Sequence, residues 1–203
     1  MNRTDAMVDD ILTFGRNLRS QNRCLKSLAI FEVAVFVSTN RESSKNCAEV
    51  LCLCVQEVMV TSEILIANEE NMKKLVKHQV IPLMRETVKH LKYMPYVERK
   101  CRNYAVAMVL HYTEWCLRLV DSWLERKRTL KTAINCLRAT FNSSEEDRVD
   151  FLWGTLHHNL GQVYESVSKV EKATRCYTQA MCAHSTFEKA ALLYKHLTDL
   201  PYD

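Results

Sequence analysis

Apolar residues recur at spacings of three and four along nearly the whole chain, the period of an amphipathic helix. The first run covers 5–20, with Met7, Val8, Ile11, Leu12, Phe14 and Leu18 at the apolar positions, and a second covers 23–37. The polar stretch 39–44 ends it and offers N-caps to the next helix. A third run, 45–67, is apolar around much of its circumference, with Cys47 and Cys54 on one face, which predicts a central helix. A fourth begins behind the polar break 68–70, should kink or break at Ile81-Pro82, and ends near Met94-Pro95, because proline removes a backbone donor and crowds the preceding turn. The fifth, 96–126, is predicted to be the longest. Its stripe of Val97, Cys101, Tyr104, Met108, Tyr112, Trp115, Leu119 and Trp123 requires a partner helix. A sixth covers 129–141. Ser143 and Glu146 then fit a capping box ahead of a run over 147–166, which should pair tightly and antiparallel with 169–183. A last amphipathic run, 186–197, carries Phe187, Ala191, Leu192, Tyr194 and Leu197.

Composition strengthens the helical reading. The 203 residues include only 3 Gly and 3 Pro, where average usage gives roughly 14 and 10. Strand-rich folds consume these residues in tight turns, so long helices joined by short polar connections are expected, in a single all-helical domain over 1–203. With 47% hydrophobic and 26% charged residues the chain has enough apolar material for a folded core. The run 50–67 contains Gln56, Glu57 and Glu63 and is expected to be a buried helix, not a membrane span.

The spacing of small and aromatic residues changes the picture further. From 154 to 187 the chain places Leu160-Gly161, then Tyr164, then Ala173, Tyr177 and Ala180. This resembles the tetratricopeptide repeat, a helix–turn–helix of about 34 residues with L-G, Y and A-x3-F signatures. His157 stands where tryptophan is common and Ser185 near the usual proline. A weaker copy over 8–41 puts Gly15, Leu18, Ser27, Phe31 and Ala34 at the same spacings, and a degenerate copy over 114–147 puts Ala133 and Leu137 in the small and large slots, with Asp121 replacing the glycine. The centre, 45–126, does not follow the period. The resemblance implies an all-α fold: antiparallel helix pairs stacked as a short right-handed solenoid with irregular long central helices, closed by a capping helix at 186–199.

It also implies a protein-binding scaffold or adaptor, with the first helix of each pair lining a concave groove for a partner's peptide or helix. On the 154–187 copy that face holds Thr155, His158, Asn159, Gln162 and Glu165, and on the 8–41 copy Asp9, Thr13, Arg16 and Arg19. Asn159 is a candidate for bidentate hydrogen bonds to a partner's backbone, or for a local structural bond instead. Some repeats of this kind clamp a terminal carboxylate with lysines and asparagines. His158, Gln162 and Leu12 stand in those slots here, so no such clamp is expected. The last amphipathic run is expected to cap the stack or join another subunit.

Charge and cysteine set the alternatives. Segment 89–138 carries eleven Lys/Arg against four Asp/Glu, a net +7 in a chain of net +4, densest at Arg126, Lys127, Arg128 and Lys131. A solvated helix end is the plainer reading; a patch for an acidic peptide or nucleic acid is the alternative, as is a structural subunit of an obligate complex. Nine cysteines, an odd number without a C-x-x-C pair, read as reduced, buried hydrophobes of a cytoplasmic or nuclear protein. The polar opening at 2–5 agrees, and glycosylation at Asn2 and Asn142 is not expected. Cys52 with Cys54, or Cys176 and Cys182 with His184, lack zinc-ligand spacing, and the neighbours His157 and His158 point about 100° apart on a helix. There is no nucleophile elbow, phosphate-binding glycine loop or HExxH, so no enzyme, metal or cofactor is expected.

Overall fold

Asn22, Asp121 and Ser168 hold positive φ values of 60°, 58° and 55° without a glycine's freedom. Each closes a helix hairpin. The computed structural model describes residues 3–39, 47–69, 71–94, 97–140 and 151–183. Among them the chain runs α1 (Arg3–Ser20), α2 (Cys24–Thr39), α3 (Cys47–Asn68), α4 (Met72–Leu75), a π-helical segment (Val76–Val80), α5 (Ile81–Lys92), α6 (Arg99–Leu119), α7 (Trp123–Arg138), α8 (Phe151–Glu165) and α9 (Val170–Ala183). The fold is all-α, as the low Gly and Pro content and helical period predict. The run 186–197, the capping helix 186–199, the 143–146 capping box, Ser185 and His184 lie outside the described residues.

The α1–α2, α6–α7 and α8–α9 turns are built alike. In each, the residue after the left-handed one donates its N–H back to the closing turn of the preceding helix: Arg23 to Leu18 at 2.9 Å, Ser122 to Leu117 at 3.0 Å and Lys169 to Tyr164 at 2.9 Å. This bond satisfies a carbonyl that the helix end leaves open, and it sends the chain straight back. The turn at Asp121 corrects the expectation of one long helix over 96–126. Asp tolerates the left-handed region because its short polar side chain suits it, and the hairpin needs that conformation there.

The same turn corrects the repeat register. Counted from the left-handed residue, the position seven before is Gly15, Glu114 and Gly161, and the position five after is Ser27, Arg126 and Ala173. Nine after stand Phe31, Leu130 and Tyr177; twelve after stand Ala34, Ala133 and Ala180. Asp121 therefore lies in the turn and not in the glycine slot. Ala133 fills the second small slot, and the unit expected over 114–147 moves seven residues toward the N-terminus, to 107–140. In the first hairpin the small slot has its own bond: Ser27 Oγ donates to the Gly15 carbonyl at 2.7 Å.

The second helix pair departs from this pattern. The helix expected to kink or break at Ile81-Pro82 does not break, but its regular α-helical winding is interrupted there. The Ile81 N–H reaches back five residues to the Val76 carbonyl, and Ile81 keeps helical φ and ψ of −62° and −44°. A π-helical turn widens the rod just ahead of Pro82, so the missing donor and the ring are absorbed without a break. α3 lies between α2 and α6, and α5 packs on α6. By length and composition Ala48–Asn68 is apolar enough to cross a membrane. In this fold its Leu51, Cys54, Val55 and Val58 are buried in the stack, and its Glu57 holds ion pairs to α1. One apolar core continues from Val8, Leu28 and Phe31 through Leu51, Met84 and Leu117 to Leu130, Leu156 and Tyr177.

Candidate partner-binding groove

The residues expected to line a concave groove fall on the first and last hairpins and do not come together. On α8, His158 and Asn159 are buried. The Asn159 amide donates to Glu114 Oε2 of α6 at 3.1 Å, so it ties two helices together and is not presented to a partner. The His158 ring packs 5.6 Å from that of Tyr177. Glu165 accepts a 2.6 Å hydrogen bond from the Tyr177 hydroxyl, whose pKa burial, aided by that carboxylate, holds well above its ordinary value. Thr155 and Gln162 are half-buried. On α1, Asp9 and Thr13 are exposed, while Arg16 and Arg19 each reach Glu57 of α3 at 2.7 Å. Arg19 also covers the Phe31 ring at 5.5 Å. Arg19 and Glu165 occupy the same place in their hairpins, three residues before the left-handed one, and do parallel jobs: a cation over a phenyl ring in one, a carboxylate on a phenol in the other.

The basic segment is likewise divided. Arg126 turns inward and pairs with the fully buried Glu114 at 2.8 Å. Burial pushes the Glu114 carboxyl up from its ordinary value, while Arg126, Arg118 and the Asn159 amide pull it down. Lys127 lies over the Tyr164 ring at 5.6 Å. Of the four expected patch residues only Arg128 and Lys131 are openly exposed. Among the described residues no cluster of three His, Cys, Asp or Glu could hold a metal ion.

A groove of about 740 Å³ opens elsewhere, between α3 and α6. Cys52, Leu53 and Gln56 come from one wall and Tyr104 and Met108 from the other. Leu53 and Tyr104 stand 47% and 39% exposed at its mouth and make its rim apolar. Glu49 and Lys100 give the walls opposite charges. The Cys52 thiol donates to the Ala105 carbonyl at 3.7 Å across the floor. Burial, with Cys54 and Glu49 adding to it, pushes that thiol up to about 12, and burial pushes the Tyr112 phenol to about 12 as well. The groove therefore holds neutral groups and no activated nucleophile at these positions, a surface for binding. Tyr104 and Met108 belong to the stripe that demanded a partner helix. Val97, Cys101 and Tyr112 of the same stripe line the groove with them. Leu53 carried no such signal, because α3 is apolar around much of its circumference and its pattern singles out no one face.

The repeated hairpin defines an all-α chain of stacked helix pairs. No family model matches it, and no curated protein does. Among solved structures, one similar to it is the crystal structure of a thermophilic TPR protein of Thermus thermophilus, with 14% identity over 95% of this chain and 100% of that one, at a TM-score of 0.34.

Proposed function

We propose that this chain is a protein-interaction module that takes an amphipathic helix or peptide of a partner protein in the groove between α3 and α6. The observation that carries this reading is the groove itself, with an apolar floor, exposed Leu53 and Tyr104 at its mouth and oppositely charged walls. Such a surface suits an apolar helix face, with the wall charges setting the direction of the bound chain. The resemblance of 8–41 and 154–187 to tetratricopeptide repeats points to the same class of function. The odd number of cysteines, nine, without a C-x-x-C pair fits a reducing, intracellular setting.

The test is affinity capture from a cell lysate followed by titration of the identified partner, purified, against Leu53→Asp and Tyr104→Ala. Both variants are first checked for helical content and thermal midpoint. Tyr104→Ala should weaken the complex by about tenfold or more, as expected when an aromatic anchor is lost. Gln162→Ala, on the surface first expected to bind, should change little. Unchanged affinity in the folded Leu53→Asp and Tyr104→Ala variants would overturn the groove assignment.

A further inference from the structure

The first hairpin leaves an apolar face on the side away from α3. On α1, Met7 and Phe14, seven residues apart and so on one side of the helix, are 44% and 54% exposed. On α2, Ala29, Val33 and Phe36 follow one stripe; Val33 is 48% exposed and Phe36 67%. Between the helices lies a shallow groove of about 410 Å³, with Phe14, Leu18, Ala29 and Ile30 in its lining beside the polar Asn17, Gln21, Arg23 and Lys26 toward the turn. An interior unit of a helical stack buries this face against the unit before it, and a terminal unit needs a polar one. Here the first described hairpin leaves this face apolar and exposed.

Two features name what covers it. The exposed side of α9, the last described helix, is mostly polar, with Glu171, Lys172, Arg175, Thr178 and Gln179 exposed. A head-to-tail contact would set apolar against polar. Charge on the first hairpin is also divided by position. Asp10 stands beside Met7 at one end of the face, and Arg23 and Lys26 stand at the turn end, all three exposed. A second copy related by a twofold axis reverses the direction of the face, so Asp10 of each copy meets Lys26 of the other while the apolar centres meet each other.

We propose that two copies of this chain associate through their first hairpins, α1 and α2 of one against α1 and α2 of the other, about a twofold axis. A face two helices wide and about 27 Å long covers on the order of 600 Å² per copy, or roughly 1,200 Å² in all, the lower bound of a specific interface. The dimer is therefore reversible and dependent on concentration. It uses a surface separate from the α3–α6 groove.

Sedimentation equilibrium of the full chain tests this over a range of micromolar concentrations. The wild type should dimerise, and Val33→Glu, exposed and so tolerable to the fold, should shift it to monomer with unchanged helical content. Asp10→Lys and Lys26→Glu should each weaken the dimer several-fold, and the double variant should restore it. That reciprocal rescue requires Asp10 of one copy to face Lys26 of the other. A wild type that stays monomeric, a dimer indifferent to Val33→Glu, or a charge exchange that restores nothing would each overturn the proposal.

Discussion

A Cβ added at position 15 would stand 2.5 Å from Phe31 Cε1, and one at position 161 would run into the same ring edge of Tyr177. These contacts explain glycine inside a helix. Alanine would gain about 1 kcal/mol of helix propensity and lose more to overpacking, since the ring is fully buried and has nowhere to go. Gly161→Ala should therefore destabilise the protein by about 1–3 kcal/mol in urea unfolding, and the double variant Gly161→Ala, Tyr177→Leu should recover part of that loss. A single variant as stable as the wild type would show that the ring does not set the identity of residue 161. The spacing of Gly15 to Phe31 and Gly161 to Tyr177 was legible in the sequence because a glycine and a ring that fill one another's space leave a fixed interval. Asn159 was not. Its distance along the chain from Glu114 is large, and no local rule links them.

At the scale of the element, the middle hairpin shows what happens when the glycine and the ring are both replaced. Leu130 is smaller than Phe31 or Tyr177, and Glu114 stands in the glycine slot. Arg126, in the slot of Ser27 and Ala173, pairs with its carboxylate. Removing one partner of a buried pair strands the other, so Arg126→Ala should cost about 3–5 kcal/mol. The triple variant Glu114→Gly, Arg126→Ser, Leu130→Phe copies the first hairpin and should lose less than Arg126→Ala alone, although Asn159 loses its acceptor. Urea midpoints of the two variants decide it, and a triple variant less stable than the single one would mean that the three hairpins are not interchangeable. The register of this unit was misread because Asp121 and Ala133 fit the sequence pattern seven residues out of place. Only the left-handed turn at Asp121 resolves it.

At the scale of the molecule, buried imidazoles make stability depend on pH. Burial holds His111 and His157 down to about 4, with Arg138 adding to the effect at His157. His111 Nδ1 and both nitrogens of His157 are buried without a hydrogen-bond partner. In the unfolded chain each titrates near 6.5, so between about 6.5 and 4 the unfolded state takes up protons that the folded state refuses. The stability held above pH 6.5 should fall as the pH drops through that window, on the order of 1–3 kcal/mol per histidine. Urea unfolding at about pH 7.5 and about pH 5 measures it, on either side of the ordinary histidine value, and His157→Phe should flatten the profile. A profile already flat in the wild type would contradict neutral burial of these rings.

Helical period, the scarcity of Gly and Pro and the intervals between small and aromatic residues all act within one helix or across one turn, so the all-α class and the first and last hairpins could be read from the chain. Other features needed the packed structure. The Glu57 pairs with Arg16 and Arg19 cross from α3 to α1, and Glu114 joins Arg126 and Asn159 from three helices. These contacts bury Arg16, Arg19, Arg126 and Asn159 or fix them to neighbours, and so take them out of the expected groove and patch. The α3–α6 groove takes its walls from two helices far apart in the chain, so no pattern on either helix alone marks it.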